Sequence, residues 1–127
     1  MKDFYGGFCS VEDTNAAIGK MYEENDYLMD THTAVGYKVY EEYKAATGDT
    51  KPTLVASTAS AYKFAESVGE AIGLPASENG FMAIAKVNEK TGVRVPKGLK
   101  DLDKKPVRHD SVIDIADMPD AVYNSVK

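Results

Sequence analysis

The sequence predicts an α/β protein, a helix-rich three-layer segment with one or two short buried strands of the parallel type. Three observations predict it. Apolar residues recur at steps of three and four over several long stretches, the signature of helices with a buried stripe. One short run, Thr53-Leu54-Val55-Ala56-Ser57, is apolar and partly β-branched and follows Pro52, as a strand covered on both faces does. A second run, Val112-Ile113-Asp114-Ile115, alternates enough for another short strand.

Element by element, Phe4-Tyr5-Gly6-Gly7-Phe8 reads as an aromatic loop whose glycines permit a turn. Ser10 with Asp13 three residues on resembles a capping box, so a helix is expected from about Val11 to Glu24, with Ala17, Ile18, Met21 and Tyr22 inward. Asp30-Thr31-His32-Thr33 offers side-chain acceptors for the next helix, which runs to about Thr47 and ends at Gly48. That helix is apolar or aromatic on more than one face, as expected between two layers. Thr58-Ala59-Ser60 is the turn out of the first strand. The cleanest periodicity follows, Ala61, Phe64, Ala65, Val68, Ala71 and Ile72, closed by Gly73 and Pro75. A helix from about Glu78 to Lys90 is expected to turn Phe81, Ile84 and Ala85 inward, and Gly92 stops it. The stretch from Val93 to Val107, with its prolines and lysines, reads as a loop with one helical turn. Asp117 is expected to cap a last helix carrying Pro119 in its first turn.

The chain has 127 residues, enough for one unit with a real core, and one unit over 1–127 is expected. Hydrophobic residues are 43% and charged residues 28%, which argues against disorder over most of the length. The formal net charge of −5 and the absence of a lysine and arginine cluster disfavour nucleic acid and anionic membranes as partners. Lys97, Lys100, Lys104 and Lys105 come closest, but Asp101 and Asp103 interrupt them. A single cysteine, Cys9, excludes an intrachain disulfide and a cysteine-based metal site. With no signal-like or membrane-length apolar run, a cytoplasmic protein is expected.

Chemistry concentrates at the corner after the first predicted strand. Ligands of open α/β sheets bind beyond the carboxyl ends of strands, where the next helix presents unpaired N–H groups. Ser57, Thr58 and Ser60, with Lys63 one turn on, either hold a phosphate or a ring nitrogen there, or merely cap the helix. His32 at the opening of its helix either donates a hydrogen bond to a ligand or serves packing and capping. His109 reads as exposed, and no spacing joins either histidine to a second metal ligand, so no metal site is expected. No Gly-x-Ser-x-Gly elbow or glycine-rich nucleotide loop is present. The Tyr37, Tyr40 and Tyr43 stripe reads as packing between layers.

Three blocks in order, Phe4-Tyr5-Gly6-Gly7-Phe8-Cys9-Ser10, Asp30-Thr31-His32-Thr33-Ala34-Val35 and Ser57-Thr58-Ala59-Ser60-Ala61-Tyr62-Lys63-Phe64, resemble threonine synthase near its C-terminus. The stretch from Asn79-Gly80-Phe81 to Arg108-His109 is similar to the family's tail. The resemblance covers nearly the whole chain and about the last quarter of the family's usual length. Thr31 and Ala61 stand where the family often has proline, which loosens the expectation for each turn's geometry.

The resemblance implies a fold type II enzyme of pyridoxal phosphate (PLP), a carbon–oxygen lyase that converts O-phosphohomoserine and water to threonine and phosphate. By motif position, it implies that Thr58 hydrogen-bonds the cofactor's ring nitrogen. It also suggests His32, Thr33, Ser60 and Lys63 as substrate-binding residues, and assigns no catalytic residue to this chain. The family's cofactor-anchoring lysine and cofactor-phosphate loop come from earlier in its sequence and are not among these residues. The chain alone is therefore expected to be inactive and to partner the remainder of a threonine synthase chain. An exposed face left for that partner could also pair two copies as a homodimer. The alternative expectation is a non-catalytic helical module that binds a small anion or a protein partner.

Overall fold

The structure, a computed structural model, describes residues 3–126; Met1, Lys2 and Lys127 lie outside the described residues. Five α-helices follow in chain order: α1 Val11–Asn25, α2 Thr31–Thr47, α3 Ala65–Ala71, α4 Gly80–Thr91 and α5 Met118–Ser125. Three short 3₁₀ turns, Ala61–Phe64, Leu102–Lys104 and Ile115–Asp117, complete the regular structure.

The described residues contain no strand, which corrects the α/β expectation. Residues 53–57 form a connecting segment without regular secondary structure, and Leu54 is 100% exposed. The predicted strand at 112–115 fares the same way: Val112 is 95% exposed, and Ile115 opens a 3₁₀ turn. Apolar, β-branched composition describes a fit to a pleated, half-buried surface, not a backbone preference strong enough to act alone. Without a neighbouring ladder to take its N–H and C=O groups, neither run becomes a strand.

The helices start and stop where local chemistry dictates. The Ser10 hydroxyl accepts from the N–H of Asp13 at 3.0 Å and so caps α1. Asn79 caps α4 by accepting from the N–H groups of Phe81 and Met82. After α3, Leu74 N–H bonds the Gly69 carbonyl and Gly73 N–H bonds that of Glu70, a Schellman closure that needs Gly73 at φ +78°. Asp117, expected to cap α5, makes no such side-chain bond.

The core lies in two adjoining clusters. Ala17, Ile18, Met29, Ala34, Ala61, Val68 and Ile72 join α1, α2 and α3, while Tyr62, Ala65, Ala83 and Val87 join the first 3₁₀ turn to α3 and α4. Fully burying one aliphatic side chain of this size is worth about 1.5–3 kcal/mol. The apolar face of α4 differs from the expected one. Ala83 and Val87 point inward, Phe81 is 45% exposed, Ile84 is half-buried and Ala85 is exposed. The face of Ala83 and Val87 packs against Tyr62 and Ala65, with a Val87 methyl in ordinary contact range of Gly69, 3.4 Å from where a Cβ would stand. The periodicity of 61–72 likewise breaks at Phe64 (φ −126°, ψ 37°), so one expected helix becomes a 3₁₀ turn and α3.

Candidate functional site

The start of α2 and the 57–64 corner meet at one place. Asp30 is the N-cap of α2 and is only 1% exposed. Its Oδ1 accepts from the N–H groups of His32 at 2.9 Å and Thr33 at 3.3 Å, and its Oδ2 accepts from the Thr33 hydroxyl. Burial on its own would raise this carboxyl's pKa. The hydrogen bonds from the Thr33 hydroxyl and from the Thr33 and His32 amides outweigh it, and the pKa is held below the usual aspartate value.

Thr33 carries the connection onward. Its hydroxyl oxygen lies 3.1 Å from the Ser57 hydroxyl, a hydrogen bond that joins residues 24 apart in sequence. Ser60 caps the 3₁₀ turn by accepting from the N–H of Tyr62 at 3.3 Å. Between them Thr58 is exposed and makes no hydrogen bond among the described residues. Lys63 is exposed as well, with no ion pair among the described residues. The His32 side chain is 68% exposed, its ring 4.9 Å from that of Phe64. Of the five residues expected at a site, His32 and Thr33 open α2, and Thr58, Ser60 and Lys63 lie on the corner that Thr33 reaches through Ser57. Thr33 is buried behind the surface, whereas His32, Thr58 and Lys63 face outward and Ser60 is half-buried.

The corner is anchored on the core side by buried residues. Ala61 and Tyr62 are buried, and the Tyr62 hydroxyl donates to the Val93 carbonyl beyond α4. Asn88 donates to the same carbonyl at 2.7 Å. Sequence reasoning missed Asp30 and Ser57 as partners. Asp30 was legible only as one of several helix-start acceptors, and nothing local marks a bond across 24 residues.

The exposed hydroxyl of Thr58 fits a neutral hydrogen-bonding partner such as the ring nitrogen of PLP. No helix among the described residues is long and apolar enough to cross a membrane.

A family model described as threonine synthase, C-terminal, matches residues 33–122. Threonine synthase-like 1 of Mus musculus is 34% identical over 73 residues, which is 58% of this chain and 9% of that protein. The protein of the same name from Macaca fascicularis is 35% identical over 71 residues, 56% of this chain and 9% of that protein. That from Homo sapiens is 34% identical over 71 residues, with the same two shares. The matched stretch is thus 9% of the length of each of these relatives. The family match runs from α2 through most of α5 and takes in the whole 57–64 corner, and on it the chain belongs to the threonine synthase C-terminal family.

Proposed function

We propose that this chain forms one wall of the PLP and substrate pocket of a threonine synthase, the enzyme that converts O-phosphohomoserine and water to threonine and phosphate. The observation that carries this reading is the exposed hydroxyl of Thr58, without a hydrogen-bond partner among the described residues and held between two anchored neighbours, Ser57 and Ser60. A hydroxyl pairs with a ring nitrogen without fixing a proton on it, as a carboxylate would. Bound there, PLP supplies an electron sink for carbanionic charge beside the substrate's amino group.

The other residues divide by what their atoms still offer. Ser60 uses a lone pair on the Tyr62 N–H, so its own proton remains free to donate to a phosphate oxygen. Lys63 supplies an ammonium for the same anion. His32, exposed beside Phe64, offers a ring nitrogen to the substrate. Thr33 acts from behind, as support for Ser57. The chain alone is inactive on this reading, because covalent PLP chemistry needs a lysine placed by another part of the enzyme.

Complementation tests it. The chain is mixed with a threonine synthase truncated before its own equivalent segment, PLP and O-phosphohomoserine are added, and released phosphate is measured. Activity that requires both pieces and falls with Thr58→Ala supports the wall. Two pieces that bind each other and stay inactive refute it. That result would favour an independent helical module, a reading to which the mutually buried stripes of α1 to α4 lend some support.

A further inference from the structure

The Thr33 hydroxyl has two oxygen neighbours, an Asp30 carboxylate oxygen and the Ser57 hydroxyl, and one proton to share between them. An ionised carboxylate only accepts, so the Thr33 proton lies on the Asp30 side. The 3.1 Å contact between the Thr33 and Ser57 oxygens then holds a proton only if Ser57 supplies it. Hydrogen-bond direction therefore runs from Ser57 to Thr33 to Asp30. With its own proton committed, the exposed Ser57 oxygen has lone pairs alone to offer outward.

We infer that Asp30 is a positioning residue that makes Ser57 an obligate hydrogen-bond acceptor, so that the ligand group seated against Ser57 is an N–H or O–H donor. The ligand part of this inference rests on the pocket-wall reading above; the relay does not. It divides the corner by polarity, with an acceptor at Ser57 and donors for an anion at Ser60 and Lys63.

The geometry supplies a substitution that reverses the relay and spares the helix cap. Both backbone N–H groups bond Oδ1 of Asp30, and the Thr33 hydroxyl bonds Oδ2. In Asp30→Asn the amide oxygen must stay at the Oδ1 position, or the N–H groups of His32 and Thr33, part-buried and buried, lose their acceptor. The amide NH₂ then falls at the Oδ2 position and donates to Thr33. Thr33 turns its proton to Ser57, and Ser57 turns its own proton outward, donor against ligand donor. Asparagine caps a helix about as well as aspartate, so the fold survives.

Two measurements test this. In the chain itself, NMR follows the Thr33 hydroxyl proton, which is expected far downfield in the native sequence and shifted upfield in Asp30→Asn. A proton that does not move overturns the relay whatever the chain's function. In the complemented enzyme, kcat/KM is compared for Ser57→Ala, Asp30→Asn and the double variant. Deleting the acceptor is expected to cost about tenfold, and facing two donors about a hundredfold. Adding Ser57→Ala to Asp30→Asn should recover the loss to about tenfold, because the misdirected proton is gone. A purely structural role for Asp30 predicts the opposite, a double variant at least as poor as Asp30→Asn, and that result overturns the ligand assignment. If the native complement is inactive, the pocket-wall reading and the ligand assignment both fall, and the Thr33 proton still decides the relay.

Discussion

Replacing Gly19 with alanine places a methyl group 2.7 Å from the carbonyl oxygen of Ala71, closer than real Cβ contacts come. The obstacle is backbone at the end of α3, so no side chain can swing aside. Helices α1 and α3 must part by several tenths of an ångström. The parting opens the interface where Ala17 and Ile18 meet Val68 and Ile72. A gap of half an ångström already forfeits about a quarter of each dispersion contact across it, and overpacking of this kind costs about 1–3 kcal/mol. Against it stands the gain from removing a glycine inside a helix, about 0.5–1 kcal/mol. The clash wins, with a net loss of about 1–2 kcal/mol. Gly36 in α2 provides the control, since a Cβ there meets nothing within 4 Å. Gly36→Ala gains only the helix term, about 0.5–1 kcal/mol. Urea unfolding of the two variants should therefore move the midpoint in opposite directions with unchanged slope. A Gly19→Ala midpoint equal to or above the native one would refute the close α1–α3 approach.

Two further outcomes are expected. Asp30 has a depressed pKa in the folded chain, so the stability it contributes is fully present above its unfolded pKa of about 4 and is lost as pH falls through the lower folded value. Thermal unfolding of the native chain should thus decline more steeply below about pH 4 than that of Asp30→Asn, and parallel curves would count against the buried cap. Tyr62→Phe removes the bond to the Val93 carbonyl, which keeps Asn88 as its donor. The expected loss is about 1 kcal/mol, or roughly 4 °C in Tm. An unchanged Tm would mean that the tyrosine hydroxyl adds nothing to the link between the corner and the end of α4.

The helices were legible because their signals are local. Ser10, Asp30 and Gly48 mark ends that a reader of the chain can place, and the structure ends α1 and α2 within a residue or so of the expected bounds. The strands were misread for the complementary reason. Strand formation depends on a neighbour, and the apolar run at Thr53–Ser57 carries no information about whether one is present. The inward face of α4 failed on a similar dependence. Two sets of apolar residues were available on that helix, and Tyr62 and Ala65, distant in sequence, buried Ala83 and Val87 rather than the other set.

At the 57–60 corner the limit of the sequence is sharper still, because three hydroxyls of like chemistry stand within four residues. Their fates differ through partners that composition does not name. Ser60 meets an N–H two residues away, a local bond that capping rules anticipate. Ser57 meets Thr33, and behind it a carboxylate buried at the start of another helix. Thr58 has no partner among the described residues. Capping and ligand binding, rival readings of the whole corner in the sequence, therefore apply to different residues of it. A corner with all three hydroxyls satisfied would have favoured capping throughout. One with none satisfied would have had no fixed geometry to offer a ligand. The arrangement found, a hydroxyl without a partner among the described residues between two that are tied down, combines rigidity with an open valence, and preorganised binding needs both.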